Sequence, residues 1–349
     1  MFYSTLILSK KNLIKNFENI KSKKTCAMVK ANAYGHGVKF VCKALQNRVE
    51  YFGVANLFEA LEIRGFNNEK KVLIVGVCQN YLSAIKNNIS FTIQSMEEFD
   101  NLLKIIEKHN FLLKKMGKIG NFHIKINSGM NRLGIKNVFE FKKLIKKYLN
   151  FKYKFLLNFE GIFTHFSTAD CDKIFLKKQV IEFKKFLNQI PPILSPLVHI
   201  GGGAAECVLE DFPGAMLRVG LKLFLPNQVM SVESKVVNLV KIKCGERVGY
   251  SNGFIAKKDC RIAVVPLGYA DGVSRKLGGR ASVKIGRKYF PIVGNVCMDM
   301  FFVLVDKNVM VGDKVVVFNS AKKWAKICNT IEYEIFTNIH SARMNIVEK

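Results

Sequence analysis

Eight short apolar runs in the first two thirds of the chain constrain its fold more than any other feature. Helix-like segments lie between most of them. The runs are Thr25–Val29, Tyr51–Ala55, Val72–Gly76, Phe91–Gln94, Phe122–Asn127, Phe159–His165, Leu197–Ile200 and Met216–Leu221. Strands that alternate with helices form parallel sheets, and eight such units close into a (β/α)8 barrel. We therefore predict an α/β fold with such a TIM-type barrel over residues 1–229.

The pattern changes after Pro226. Short strand-like runs now follow one another, separated by Gly, Asp and Asn turns, and no long helical period occurs before Lys322–Thr330. The runs are Val232–Lys243, Arg261–Pro266, Ala281–Lys284, Tyr289–Val293, Phe301–Val305 and Lys314–Phe318. We predict a second, mostly β domain over residues 230–349.

Reactive side chains stand at the ends of the predicted barrel strands. They are Lys30 after the first run, Lys125 and Arg132 along and beyond the fifth, His165 at the end of the sixth, His199 with the glycines 201–203 at the seventh, and Arg218 in the eighth. In a barrel of parallel strands, the carboxyl ends meet at one rim, where barrel enzymes carry their reactive groups. The convergence predicts an active site at this rim.

Lys30 ends an apolar run and is followed by small residues, a tyrosine and two glycines. A lysine in this position can be partly desolvated, which favours the neutral amine that forms Schiff bases. From residue types alone, a solvated lysine after an edge strand remains the commoner case. The whole string Val29–Gly37, VKANAYGHG, resembles the pyridoxal 5'-phosphate attachment segment of the alanine racemase family. The resemblance implies that Lys30 holds this cofactor.

The same resemblance implies a phosphate contact for Tyr34, and Gly203, Gly220 and Leu221 can present backbone N–H groups to that phosphate. The family more often has Asn-Ser where this chain has Gly202-Gly203, so we expect backbone donors to replace a serine hydroxyl.

Arg218 lies in a Leu-Arg-Val-Gly-Leu string that matches the family. The match implies that Arg218 faces the pyridine nitrogen of the cofactor. The resemblance also places His165 among the cofactor-binding residues. An arginine can only donate, so the ring nitrogen would stay unprotonated. We expect this to weaken the ring as an electron sink and to suppress side reactions such as transamination.

Racemisation needs one base on each face of the planar intermediate. We expect Lys30 to serve one face and Tyr250, in the predicted β domain, to serve the other. A tyrosine has an ordinary pKa of about 10, so nearby cations must lower it, and His165 and Arg218 are the candidates. In the family this tyrosine comes from the other subunit, which implies a homodimer with two shared active sites.

Residues 123–134, HIKINSGMNRLG, resemble the substrate side of the family's site. The resemblance implies that Arg132 contacts the phenolic oxygen of the cofactor and the substrate carboxylate. Lys125 corresponds to a lysine that is carbamylated in several relatives, where it orients that arginine. Asn127 stands where the family usually has Asp, so the local charge differs here.

Two further strings in the predicted β domain match the family. Asn295–Asp299 contains Cys-Met-Asp, which implies that the Met298 backbone N–H faces the substrate carboxylate. Pro266–Gly272 implies that Tyr269 narrows the entrance to the site.

The net charge of +28 first suggests nucleic-acid binding. The lysines are spread through nearly every predicted helix, which favours a compositional bias instead. Nine cysteines without Cys-x-x-Cys spacing indicate reduced thiols and no zinc site. No run of eighteen or more uncharged apolar residues could cross a membrane. We expect a cytoplasmic protein that binds no metal, nucleic acid or membrane.

The resemblance spans nearly the whole chain and implies a pyridoxal phosphate-dependent racemase that interconverts L- and D-alanine for peptidoglycan. One alternative is a decarboxylase of the same architecture, but it would place an acidic partner on the pyridine nitrogen, where this chain has Arg218. A racemase that also accepts serine is a second alternative. A single-domain cofactor carrier is a third, although it would need no second base such as Tyr250.

Overall fold

The computed structural model describes residues 3–201 and 203–349. The chain divides into two compact units. One, here called the barrel unit, comprises Asn19–Ala33 and Val41–Leu223. The other, here called the β unit, comprises the residues up to Glu18, Tyr34–Phe40 and Phe224–Lys349. Within the described residues, no helix combines the length and the apolar character that crossing a membrane requires.

The barrel unit is a closed barrel of eight parallel strands, as the alternating pattern predicted. Its strands are β2 (Thr25–Met28), β3 (Tyr51–Val54), β4 (Lys71–Ile74), β5 (Ile89–Ile93), β6 (Gly120–Lys125), β7 (Leu157–Phe163), β8 (Leu197–Gly201) and β9 (Met216–Val219). The barrel closes where β2 pairs with β9, with Cys26 opposite Arg218. Phe163 is fully buried inside the barrel, where its ring stacks on His199. The fully buried Phe91 and Phe122 instead pack against the helix residues Tyr81 and Phe99.

The helices are α1 (Lys10–Glu18), α2 (Val38–Leu45), α3 (Leu57–Arg64), α4 (Tyr81–Lys86), α5 (Met96–Lys115), α6 (Val138–Leu149), α7 (Lys173–Leu187), α8 (Ala321–Cys328) and α9 (Glu332–Thr337). Polar side chains start most of them by accepting hydrogen bonds from first-turn N–H groups. These N-cap residues are Asn56, Asn80, Ser95, Asn137, Asp172 and Ser320. These six helices therefore begin at positions that the local sequence defines.

The β unit contains a nine-stranded sheet in the order β11-β14-β17-β16-β15-β18-β10-β1-β19. Its strands are β1 (Thr5–Leu8), β10 (Met230–Lys235), β11 (Asn238–Ile242), β14 (Cys260–Val265), β15 (Ser282–Ile285), β16 (Lys288–Val293), β17 (Phe301–Val305), β18 (Lys314–Phe318) and β19 (Asn345–Glu348). A separate hairpin joins β12 (Arg247–Val248) to β13 (Phe254–Ile255). The mostly β character of this unit confirms the prediction.

Two details of the β unit differ from the sequence expectation. The predicted strand Val232–Lys243 is two strands, since the Val236 and Val237 N–H groups donate to the separate carbonyls of Asp313 and Val264. The N-terminal strand β1 also belongs to this sheet, where it pairs antiparallel with β10 and parallel with β19. Both features depend on long-range pairing that local patterns do not record.

Short 3-10 turns complete the chain. They are Lys154–Leu156, Gly203–Asp211, Leu221–Leu223, Tyr250–Asn252, Tyr269–Asp271, Arg275–Leu277 and Ser341–Arg343. Several of the residues singled out in the sequence lie in these turns.

Candidate active site

Lys30 follows strand β2 by two residues and is half-buried. Burial lowers the pKa of its amine, the nearby Arg132 lowers it further, and Glu59 opposes the shift. Both main causes disfavour the positive charge, because one removes water and the other adds a like charge. Lys30 is therefore more easily deprotonated than an ordinary surface lysine.

The backbone after Lys30 is left-handed. Ala31, Asn32, Ala33 and Tyr34 have φ angles of 51°, 51°, 52° and 56°. This conformation costs roughly 1–2 kcal/mol per residue for L-amino acids, so surrounding contacts must stabilise it.

Glu59, on helix α3, supplies one such contact. Its Oε1 accepts a hydrogen bond from the Ala31 N–H at 2.8 Å, and its Oε2 accepts one from the Ala55 N–H at 2.8 Å. The carboxylate thus ties the turn after Lys30 to the end of strand β3. Glu59 could not be predicted from the sequence, because no local pattern distinguishes it from other helix glutamates.

Lys125 is the last residue of strand β6 and is buried, with its Nζ 5.9 Å from the centre of the Phe163 ring. Burial and the cations Arg132, Arg218 and Lys30 lower its pKa to about 8. A fraction of this amine is therefore neutral at physiological pH.

Arg132 is exposed on the loop that follows Lys125. The loop is closed at its base, where Ile126 and Ile135 form a parallel bridge. The Asn127 Oδ1 accepts hydrogen bonds from the N–H groups of Gly129, at 3.1 Å, and Asn131, at 3.0 Å. The amide of Asn127 thus shapes the loop without adding a negative charge.

His165 lies just beyond strand β7 and is partly buried. Burial, followed by the charges of Arg218, Arg132, Lys125 and Lys30, lowers its pKa to about 3. The imidazole is therefore neutral at physiological pH. The expectation that His165 supplies a positive charge to Tyr250 is thus corrected, because burial, followed by the neighbouring cations, disfavours its protonation.

Arg218 points its guanidinium into the barrel, and the side chain is only 4% exposed. Its Nη2 donates to the Thr164 carbonyl at 2.7 Å, and its Nη1 lies 2.9 Å from the His199 Nδ1. The guanidinium carbon is 4.5 Å from the centre of the Phe163 ring. In the described part of the chain the group has no carboxylate partner.

Gly201 makes room for this arrangement. A Cβ at this position would lie 2.1 Å from the Arg218 Nη2 and 2.4 Å from the His165 Nδ1. Burial lowers the pKa of Arg218 to about 10, so the guanidinium stays charged at neutral pH.

The residues expected at the cofactor phosphate lie at two 3-10 turns. Gly203 begins one, and Leu221 begins the other, in which the Leu223 N–H donates to the Gly220 carbonyl at 2.9 Å. The first N–H groups of such turns have no acceptor inside the turn and suit an anion. Gly202 lies outside the described residues.

Tyr34 is buried in the β unit, where its ring packs against Phe224 at 5.5 Å and Tyr333 at 5.7 Å. These aromatic neighbours hold the Tyr34 ring in place, so packing sets the direction in which its hydroxyl points.

Tyr250, Tyr269 and Met298 lie on exposed turns of the β unit, with 71%, 42% and 53% of their surfaces accessible. The Tyr269 N–H donates to the Cys297 carbonyl at 3.0 Å, and the Asn295 Nδ2 donates to the Tyr250 carbonyl at 2.9 Å. Residues 295–298 therefore connect the Tyr250 turn to the Tyr269 turn.

The barrel unit thus gathers Lys30, Lys125, Arg132, His165 and Arg218 at the carboxyl ends of its strands. A deprotonatable lysine among cations and turn N–H groups fits a cofactor with an aldehyde and a phosphate, and a substrate with a carboxylate. Fold and donor set define a barrel enzyme with a lysine-centred site for anionic ligands.

Comparison with known proteins identifies the family. The family model "Alanine racemase, N-terminal domain" matches residues 8–228, and "Alanine racemase, C-terminal domain" matches residues 229–347. The alanine racemase of Lactobacillus acidophilus is 33% identical over 340 residues, which cover 89% of this chain and 87% of that protein. The chain belongs to the alanine racemase family, whose members are pyridoxal phosphate-dependent racemases, a class of isomerase.

Solved structures agree with this assignment. The alanine racemase from E. faecalis has a TM-score of 0.90 and 27% identity, and the match covers 100% of this chain and 98% of that chain. The alanine racemase from Bartonella henselae, solved with covalently bound pyridoxal phosphate, has a TM-score of 0.86 and 25% identity, with 99% of each chain covered. A histidine racemase from Leuconostoc mesenteroides has a TM-score of 0.88 at 22% identity, with 100% of this chain and 98% of that chain covered, so the fold by itself does not select the substrate.

Proposed function

We propose that this protein interconverts L- and D-alanine with pyridoxal 5'-phosphate held on Lys30. The observation that carries the proposal is the half-buried Lys30, whose pKa is lowered by burial and by Arg132 at the rim of the barrel. A lowered pKa makes the amine both a nucleophile toward an aldehyde and a base toward an α-proton.

The residues at the rim fit this cofactor. When bound, the cofactor supplies the aldehyde that joins the substrate amine and the conjugated ring that stabilises negative charge at Cα. Tyr34 and the backbone N–H groups of Gly203, Gly220 and Leu221 would hold its phosphate. Arg218 would donate a hydrogen bond to its ring nitrogen and, because it cannot accept one, would keep that nitrogen unprotonated.

Two bases would move the α-proton. The Lys30 Nζ would remove it from, or return it to, one face, and the Tyr250 hydroxyl would serve the opposite face. The high exposure of Tyr250, Tyr269 and Met298 in a single chain supports a homodimer, in which these residues complete the site of the partner barrel. Such an assembly is symmetric and gives two shared sites.

Lys125 would affect substrate binding through its charge. Its pKa of about 8 leaves neutral amine available to react with carbon dioxide, which would replace a cation by a carboxylate beside Arg132. That carboxylate would orient Arg132 toward the substrate carboxylate. Asn127 brings no charge of its own to the loop, so the modification would be the source of negative charge there.

Alanine, rather than the larger histidine or the hydroxylated serine, is proposed from the family's name and from the relatives that carry it. We further propose that the product supplies D-alanine for peptidoglycan and that the enzyme acts in the cytoplasm. Both statements concern the physiological role, and they follow from the proposed reaction.

Deuterium incorporation tests the reaction. The purified protein is incubated with pyridoxal phosphate and L-alanine in deuterated water, and optical rotation is followed together with deuterium at Cα. We expect the rotation to decay to zero as deuterium enters. Unchanged rotation, with carbon dioxide released from L-ornithine, L-lysine or diaminopimelate, would instead establish a decarboxylase. L-Serine in the same assay measures the breadth of specificity.

A further inference from the structure

A line of hydrogen-bonded side chains runs through the barrel unit behind Arg218. The Arg218 Nη1 lies 2.9 Å from the His199 Nδ1, and the His199 Nε2 lies 2.8 Å from the His123 Nδ1. The His123 Nε2 then lies 3.1 Å from the Glu160 Oε2. Both histidines are fully buried. The proposed function assigns no role to Glu160, His123 or His199.

The arginine end fixes the direction of every hydrogen bond in this line. A guanidinium only donates, so the His199 Nδ1 must accept and its proton must sit on Nε2. That N–H donates to the His123 Nδ1, and the remaining proton of His123, on Nε2, donates to Glu160. A second proton on either ring would face another N–H, so both histidines must be neutral.

The directions in which the pKa values shift agree with this assignment. Burial lowers the pKa of His123 although Glu160 opposes the shift, and burial together with the charge of Arg218 lowers the pKa of His199. Burial alone would raise the pKa of Glu160, but hydrogen bonds from His123, Lys71 and Ser90 hold it below its usual range. Glu160 is therefore charged while the two imidazoles between it and Arg218 are neutral.

Packing prevents the two rings from turning. Tyr51 meets the His123 ring edge-on at 5.8 Å, and Phe163 stacks on the His199 ring at 4.5 Å. A Cβ at Gly161 would lie 2.2 Å from the His123 Nδ1, so the backbone of β7 approaches the ring too closely for any other residue. The line is thus a fixed structure.

The far end of the line reaches the amino-terminal end of the barrel. The Glu160 Oε1 pairs with the Lys71 Nζ at 2.8 Å, and its Oε2 accepts from the Ser90 Oγ at 2.5 Å. Glu160 and Lys71 line an open cavity of about 560 Å³ together with Tyr51, at the first residues of β3 and β4. The carboxylate therefore lies between the barrel interior and solvent.

We propose that Glu160 is the counter-charge of Arg218 and acts through His123 and His199, which polarise in one direction. Hydrogen bonds in a low-dielectric interior polarise one another, so the negative end at Glu160 stabilises the positive end at Arg218. This stabilisation fixes the rotation of the guanidinium. It also fixes which N–H group Arg218 presents to the cofactor ring, a step that rests on the proposed function. Glu160, His123 and His199 are positioning residues.

Nitrogen NMR of the unaltered protein, with its six histidines labelled with ¹⁵N, tests the assignment directly. His123→Asn and His199→Asn identify the two signals. We expect both rings to be neutral with the proton on Nε2 at every pH at which the protein stays folded. A proton on Nδ1 of either ring, or titration of either ring, would overturn the proposal.

Glu160→Gln tests the charge, because the glutamine oxygen can still accept from His123. We expect the signals of His199, which does not contact residue 160, to shift together with those of His123. We also expect kcat to fall about tenfold, with KM little changed, as for a lost charged hydrogen bond. Lys71→Met is the matched control, because it contacts the same carboxylate from outside the line, and it should leave His199 unshifted.

If only the His123 signals shift in Glu160→Gln, then Glu160 has only a local structural role. That result would refute the proposal that Glu160 acts on Arg218 through the two histidines. If that variant does not fold, the proton positions in the unaltered protein decide the question. The NMR measurements need no turnover, so they stand even if the protein proves not to racemise alanine. Failure of the proposed function and failure of this proposal are therefore distinguishable.

Discussion

The barrel rim and the exposed turns of the β unit hold their functional residues in different ways. At the rim, Arg218 and Lys125 are buried, and hydrogen bonds or packed rings fix the groups around them. In the β unit, Tyr250 is 71% exposed, and it is its backbone carbonyl that Asn295 holds. Burial shifts the pKa of an ionisable group, so the pKa values of the rim residues are set within one chain. In the proposed homodimer, a surface of the partner would provide the Tyr250 turn with a comparable environment.

Lys30→Ala should have the largest effect on the site at the barrel rim. It removes the attachment point and one of the two bases, so we expect racemisation to fall by at least about 10⁴-fold. The absorbance of covalently bound cofactor should disappear as well. Lys23→Ala, an exposed lysine of the same segment, is the control and should keep both properties. A covalent chromophore that survives in Lys30→Ala would refute the attachment site.

Tyr250→Phe removes the hydroxyl that is proposed as the second base, on the exposed turn of the β unit. We expect bound cofactor to be retained while racemisation falls by about 10²–10⁴-fold, the usual contribution of an acid–base group. We assign the α-proton of D-alanine to Lys30 and that of L-alanine to Tyr250, so exchange of the α-proton with solvent should survive better from D-alanine than from L-alanine. Equal losses from both enantiomers would contradict the assignment of faces. Tyr289→Phe, another exposed tyrosine of the β unit, should have little effect.

Glu59→Gln tests whether Glu59 holds the turn after Lys30. A glutamine has one acceptor oxygen, so it can satisfy the Ala31 N–H or the Ala55 N–H, but not both. We expect the free energy of unfolding to fall by about 1 kcal/mol, the net contribution of a typical hydrogen bond, and kcat to fall because the turn after Lys30 loosens. Urea denaturation measures the first effect. Glu62→Gln, an exposed glutamate on the same helix, should be neutral, and an equal loss there would remove the special role of Glu59.

The charge of Lys125 predicts an effect on stability that depends on pH. Its pKa is about 8 in the folded chain, against an ordinary value of 10.5. Between these two values the unfolded chain binds more protons, so stability should rise with pH across this window, by up to about 3 kcal/mol. Lys125→Met should flatten the rise in buffer free of carbon dioxide. A rise of unchanged size in that variant would show that another group causes it.

The fold could be predicted further than the site. Eight apolar runs gave the barrel because a strand in a parallel sheet is a local signal, and strands such as Thr25–Met28 begin where the pattern begins. Glu59 was missed because its role depends on two N–H groups that the fold brings to it. The charge of His165 was misjudged because its pKa depends on burial in the folded chain and on cations from several separate strands and loops.

The pairing of the two variants tests the central claim, that the rim of one protomer and the Tyr250 turn of its partner form one site. Lys30→Ala and Tyr250→Phe chains are unfolded together, refolded as a mixture, and assayed for racemisation. In a mixed dimer with shared sites, one site carries both substitutions and the other carries none. Half of the dimers would then have one intact site of two, so activity should return to about one quarter of the unaltered enzyme. No recovery above the two separate variants would contradict shared sites and place both bases within one chain.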